Sequence, residues 1–248
     1  MTNGSSFSWS DQSGARVGRG GSIVGRDQHN TTNTFNGLPG DPARAVDPRS
    51  RSQAGTRILM LAANPAGTQR LALDIEAREI TEKLQLAQAR DEFDLITRWA
   101  VRPSDVLQHL NQHRPQIVHF SGHGNRSGEI VLSAGTRGEQ RVSTAALAEL
   151  FRTVRDETRI VVLNACYSTT QAQAISQHID HVIGMRAPID DGSAAVFAAA
   201  FYSALAFHRP VPQAFDQAKV ALDLNSLPGG SVPELLTRPG ANPFPISR

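Results

Sequence analysis

The order of apolar and polar positions divides the chain at about residue 53. Beyond it, short continuous apolar runs alternate with amphipathic stretches. Arg57–Ala63 (RILMLAA), Gln116–Ser121 (QIVHFS), Arg159–Ala165 (RIVVLNA) and His181–Arg186 are runs of strand length. Continuous apolar runs of this kind are expected of strands covered on both faces. Phe93–Val101 and Ile130–Leu132 add two further strands. Leu73, Ala77, Ile80 and Leu84 recur at helical spacing and predict a helix over 71–88. Helices are also predicted over 103–113, 143–154, 169–179, 193–207 and 211–224. Pro103 opens the first of these, Ser143 caps the second, and Pro210 and Pro212 separate the last two. Strands alternating with helices imply crossover connections, hence an α/β fold with a mostly parallel central sheet flanked by helices. Residues 53–248 are taken as this domain.

Residues 1–52 differ in kind. They are rich in Gly, Ser, Asn, Thr and Asp, with turn signals at Gly18–Gly21 and Leu38–Asp41, and cannot build a large core. Ser22–Gly25 and Thr31–Phe35 read either as a small β element or as part of a disordered leader. Six arginines face four aspartates here, which with no interleaved aromatics describes a solvated tail rather than a nucleic-acid grip. The whole chain carries only +2. It has no apolar run of about 18 residues, and its first residues lack the regions of a signal peptide. A soluble, cytoplasmic protein with no membrane or nucleic-acid partner is expected.

Cys166 is the only cysteine among 248 residues, so no internal disulfide exists. Composition alone favours a buried thiol, since free cysteine is among the most buried residue types. Its position favours a reactive one. In open α/β sheets, functional groups gather beyond the carboxyl ends of the strands, and both Ser121-Gly122-His123-Gly124 and Asn164-Ala165-Cys166-Tyr167-Ser168 fall at such ends. A nucleophilic thiol needs an imidazole partner, backbone donors for a developing oxyanion and an exposed position. The glycines around His123 are read as ending the strand and leaving the imidazole exposed.

Val118–Gly124 (VHFSGHG) and Val162–Ser168 (VLNACYS), with His123 and Cys166 43 residues apart, resemble the two catalytic motifs of CHAT-domain proteases, a branch of the caspase-like superfamily of cysteine peptidases. Ala62-Ala63-Asn64-Pro65 with Leu73–Glu76, and Gly184–Arg186 with Phe201–Leu205, resemble the opening and closing elements of that family. The resemblance implies a caspase-like three-layer sandwich. It makes Cys166 the nucleophile of a His-Cys dyad and His123 its acid/base. The backbone N–H groups of Gly124 and Cys166 would form the oxyanion hole, and no metal or organic cofactor is required. Such domains sit beside sensor or repeat domains in bacterial stress and antiviral defence systems. The implied activity is that of a cysteine endopeptidase making a regulated cut in a protein partner, one encoded nearby being a candidate. Control would come from residues 1–52, from an activating sensor or protease chain, or from processing at arginines such as Arg51 and Arg137.

Other readings remain open at this stage. An inactive caspase-like module, recruiting a partner through its N-terminal segment, would keep the fold without the reaction. A nucleotide-binding enzyme is disfavoured because no Gly-x-Gly-x-x-Gly turn follows the first strand. A zinc set of His119, His123 and Cys166 requires the third strand to continue through Gly122, which the glycines argue against. His109 and His113, four apart on a helix, lack a third ligand. Asn164, two residues before Cys166, is a candidate for substrate binding rather than for a third catalytic member. Its neutrality weakens an assignment to basic cleavage sites, since relatives with that preference are acidic there. Asp191 is either a substrate-binding carboxylate or a helix cap, and Asp190 is read as the cap. Glu76, Arg78, Glu79, Glu82 and Lys83 read as an exposed helix face.

Overall fold

In the computed structural model, which describes residues 55–135 and 138–243, the four apolar runs are the inner strands of one sheet. In chain order the elements are β1 (Thr56–Ala63), α1 (Leu73–Leu86), β2 (Phe93–Arg98), α2 (Pro103–His113), β3 (Ile117–Gly124), β4 (Glu129–Ser133), β5 (Glu139–Ser143) and α3 (Thr144–Thr153). They continue with β6 (Ile160–Asn164), α4 (Thr169–Ile175), β7 (His181–Met185), α5 (Asp191–Ala206), α6 (Val211–Leu224) and β8 (Pro233–Thr237). The strand order is β2-β1-β3-β6-β7-β8, parallel except for β8, and β4–β5 form an antiparallel hairpin on the end of β3. The readings made on residues 1–52, and on Arg137, lie outside the described residues.

Strand alternation sorts the core into two layers. Ile58, Met60, Ile117, Ile160, Val162 and Ile183 face α1, α5 and α6. Leu59, Leu61, Val118, Phe120, Val161 and Leu163 face α2, α3 and α4. Because both sheet faces are covered, these strands are apolar at most positions, and the polar exceptions on β3 and β6, His119, Ser121 and Asn164, stand toward the carboxyl ends. Helix α5 (DGSAAVFAAAFYSALA) is the most deeply set, with Phe197, Phe201 and Tyr202 fully buried. Ser143 caps α3 by accepting from the Ala146 N–H, and Asp190 caps α5 by accepting from the Ser193 N–H, both as the sequence indicates.

Three differences from the sequence reading have physical causes. Strand β3 runs to Gly124 rather than stopping at Ser121, because β4 pairs with His123 and Gly124 and extends the ladder. Strand β5 (EQRVS) is polar: it pairs only with β4 and buries no full face. Strand β8 (PELLT) starts on a proline, which is tolerated on an edge strand that pairs only with β7.

His181 fastens β8 and the chain beyond it. Its Nε2–H donates to the Asn242 carbonyl at 2.8 Å, and its Nδ1 lies 3.2 Å from the Thr237 hydroxyl. Burial holds this imidazole below the usual histidine range, so the folded chain takes up its proton at a lower pH than the unfolded chain does. As pH falls through about 6.5 the unfolded chain therefore binds this proton more readily than the folded chain. This histidine's contribution is present at pH 7 and declines as pH falls through about 6.5. Urea unfolding at pH 7 and pH 5 is expected to show that decline, and a smaller one in His181→Gln.

Candidate active site

Strands β3 and β6 lie side by side with Phe120 opposite Leu163 and Ser121 opposite Asn164. This register brings the two glycine- and cysteine-bearing tips to one end of the sheet, beside β1, from which the strand order runs outward to β2 on one side and to β3 and β6 on the other. His123, Asn164, Ala165, Cys166 and Asp191 line one crevice there, together with the loop that leads into α1. His123 and Cys166 are both partly exposed.

The chain reverses sharply after Cys166. Tyr167 holds a left-handed φ of 58°, a conformation that costs a non-glycine residue energy and is typical of functional turns. Arg126, from the β3–β4 turn, stacks its guanidinium 5.2 Å from the Tyr167 ring centre and joins the histidine-bearing and cysteine-bearing segments. Gly124 packs so closely on Cys166 that a Cβ there would overlap the Cys166 carbonyl oxygen. Asn125 donates its N–H to Glu129 across the β4 turn, so strand alternation directs the Gly124 N–H away from β4.

One carbonyl orients the imidazole. The Nε2–H of His123 donates to the Gln69 backbone oxygen at 2.8 Å, which leaves Nδ1 as the unprotonated nitrogen of the neutral ring. Gln69 sits on a loop held at both ends. Asn64 bonds the backbone N–H and carbonyl of Leu71, and Asp191 accepts from the Ala72 N–H at 2.8 Å. The Asn64-Pro65 signal after β1 marks this loop; no sequence pattern discloses which carbonyl meets His123.

Beneath the crevice lies a polar cluster that the sequence reading missed. Glu76, read as part of an exposed helix face, is only 4% exposed. Its Oε1 accepts from His119 Nε2 at 2.9 Å and from the Asn164 amide, and its Oε2 accepts from the Ser121 hydroxyl. His119 Nδ1 is 3.0 Å from the Tyr202 hydroxyl. Burial, with the Glu76 charge second, pushes the Tyr202 phenol well above its ordinary range. Because Asn164 turns its amide N–H toward the carboxylate, its Oδ1 is left without a protein partner.

The other sequence candidates are placed as follows. Strand β3 does continue through Gly122, so His119 and His123 share a face, yet His119 is spent on Glu76 and Tyr202. Among the described residues no group of His, Cys, Asp or Glu is arranged to hold a metal. His109 and His113 stack 6.2 Å apart, and Arg98 donates to His113 at 2.9 Å. Asp191 lines the crevice and anchors the α1 loop, while Asp190 is the cap.

Among solved structures, this architecture is similar to gingipain R, an Arg-specific cysteine proteinase, with a TM-score of 0.53 and 13% identity over 75% of this chain and 46% of that one. It is also similar to caspase-1 from Spodoptera frugiperda, with a TM-score of 0.50 and 10% identity over 74% of this chain and 86% of that one. The fold is therefore caspase-like. The CHAT domain model matches residues 26–228, and the chain belongs to that family. A Roc-COR-CHAT protease from an unknown prokaryotic organism is 24% identical over 69% of this chain and 17% of its own length. A protein of Gillisia limnaea named as a probable protease is 24% identical over 62% of this chain and 28% of its own length. The chain thus spans less than a third of either relative.

The close approach at Gly124 yields a direct check. Gly124→Ala must push the Cys166 carbonyl away, and a displacement of about 1 Å at a reacting centre costs on the order of 100-fold in rate. Labelling of Cys166 by a peptide-linked electrophile is expected to fall by that order, with the melting temperature recorded alongside.

Proposed function

We propose that this chain is a cysteine endopeptidase in which Cys166 is the nucleophile and His123 the acid/base, and that it makes a specific, regulated cut in a protein partner. The observation that carries this reading is the meeting of both residues at the ends of two register-paired parallel strands, on one crevice, with His123 already oriented by the Gln69 carbonyl.

With Nε2–H committed to Gln69, Nδ1 takes the thiol proton. The thiolate adds to the substrate carbonyl, forming a C–S bond, and the N–H groups of Gly124 and Cys166 receive the developing oxyanion. The imidazolium then returns the proton to the departing amine as the C–N bond breaks. Water, deprotonated by the same nitrogen, releases the acid and regenerates the thiol. A carbonyl acceptor on Nε2–H helps to disperse the positive charge of the imidazolium. Removal of one oxyanion donor typically costs about 3–4 kcal/mol in transition-state stabilisation.

A regulated cut, rather than general digestion, is supported by the chain's relatives. The protein named Roc-COR-CHAT protease is several times longer than the segment it shares with this chain. A peptidase unit joined to other units is suited to control by them, and a bacterial stress or antiviral defence pathway, with the substrate encoded nearby, is the setting we propose.

The test uses the full chain with the products of neighbouring reading frames and a thiol-reactive peptide probe. Wild type is expected to label and to cut one neighbour at one position. Cys166→Ala is expected to abolish both, and His123→Ala to lower cleavage by on the order of a thousandfold or more, as when one member of a catalytic unit is removed. Binding of a neighbour with neither labelling nor cleavage would establish the chain as a recruiting module instead.

A further inference from the structure

The buried carboxylate that the peptidase reading leaves unused is Glu76. It belongs to α1, yet its three donors belong to the two strands that end in the reactive residues. Ser121 and Asn164 are register partners across β3 and β6. Ser121 stands two residues before His123, and Asn164 two residues before Cys166. In a strand, a spacing of two is one full repeat on the same face. The carboxylate therefore grips β3 one repeat short of His123, and β6 at its last residue, two before Cys166.

A tether made only for stability would not need this chemistry. The same helix already packs Ala77, Ile80 and Leu84 on the apolar layer around Ile58 and Ile117. A buried ion loses its hydration, and well-packed apolar replacements of buried ion pairs are often neutral or stabilising. What a carboxylate adds is direction, because its lone pairs fix where three donors must stand.

We propose that Glu76 is the positioning residue of the dyad: by clamping His119 and Ser121 on β3 and Asn164 on β6, it sets the relative placement of His123 and Cys166. This rests on the reading of those two residues as the dyad. The clamp also fixes the Asn164 amide, since only its N–H side can face a carboxylate, and leaves its Oδ1 buried without a protein partner.

A clamp that works by direction can be rebuilt with its polarity exchanged. In Glu76→Gln with Asn164→Asp, the amide introduced on α1 donates one N–H to the new carboxylate on β6. It donates the other to His119 Nε2, once His119 moves its proton to Nδ1 and donates to the Tyr202 oxygen. The oxygen of the same introduced amide accepts from Ser121. The contacts of the Glu76 position are rebuilt in kind, while the Tyr202 hydroxyl gives up its acceptor on His119 and the new carboxylate faces the Ala194 carbonyl. In Glu76→Gln alone, the amide oxygen can still accept from His119 and Asn164, but its N–H group then meets Ser121, whose hydroxyl loses its acceptor. In Asn164→Asp alone, two carboxylates face each other.

The experiment measures wild type, both single variants and the exchanged pair as a double-mutant cycle. Peptide cleavage gives kcat and KM, and alkylation of Cys166 by iodoacetamide is followed across pH. The titratable groups facing this region are His119 on β3, Tyr202 on α5, and His123, Asp191 and Cys166 around the crevice. Each single variant is expected to lower kcat by about 10- to 100-fold with KM changed by less than about twofold, as for a misplaced reacting group. Each is also expected to move the midpoint of the alkylation profile, and the exchanged pair is expected to bring both readouts back toward wild type, above either single variant. Wild-type kcat and an unmoved midpoint in Glu76→Gln would overturn the proposal. So would an exchanged pair that regains its melting temperature without regaining the two readouts. If Glu76→Gln does not fold, Ser121→Ala removes one donor only and must show the same split between kcat and KM. If wild type cleaves no peptide, the peptidase reading fails, and the alkylation profiles of wild type, His123→Ala and Glu76→Gln still decide whether Glu76 positions the thiol.

Discussion

The parallel pairing of β3 with β6 is the constraint on which the site depends. With Ser121 opposite Asn164, each strand delivers its terminal residues to the same edge of the sheet. A shift of this register by one residue would turn Ser121 and His123 to the opposite face from Asn164 and its neighbours. The apolar residues above them prevent such a slip. Val161 and Leu163 belong to one buried layer and Ile160 and Val162 to the other, so both faces of β6 specify the same alignment. Core packing therefore settles a question of chemistry: which two side chains meet at the crevice.

Above that core the polar groups are held mostly by backbone. The loop between β1 and α1 is stapled by Asn64 at one end and Asp191 at the other, and presents the Gln69 carbonyl to His123. Close packing of Gly124 on Cys166 and the left-handed turn at Tyr167 shape the opposite wall. A thiol site of this kind asks little of side-chain identity beyond one histidine and one cysteine. Backbone carbonyls and N–H groups carry no letter in the sequence, which explains why their contribution is hard to read there.

The Glu76 cluster shows the same limit from another direction. Glu76, Glu79 and Glu82 look alike along the helix, and Arg78 pairs with Glu82 in solvent as a surface helix would have it. Glu76 differs only because it stands on the apolar stripe with Leu73, Ala77 and Ile80. Its position on that stripe was available as a warning, but the partners that make its burial tolerable lie 43 to 88 residues away. Strand β5 was missed for a related reason. A hairpin arm that buries no full face has no apolar period to announce it.

By itself, the sequence determined the alternation of buried strands and amphipathic helices, and the two motifs that hold His123 and Cys166, whose resemblance to those of CHAT-domain proteases implies the caspase-like class. The alternation follows from short continuous apolar runs and from periods of about 3.6 residues, which are legible within a local window of the chain, as the motifs are. The tertiary structure decided that β3 extends through Gly124, that Gln69 orients His123, and that Glu76 joins α1 to both strands of the site. Each of those depends on a contact between residues distant in the chain. Such contacts are chosen by the packing of whole elements, and no short stretch of sequence contains them.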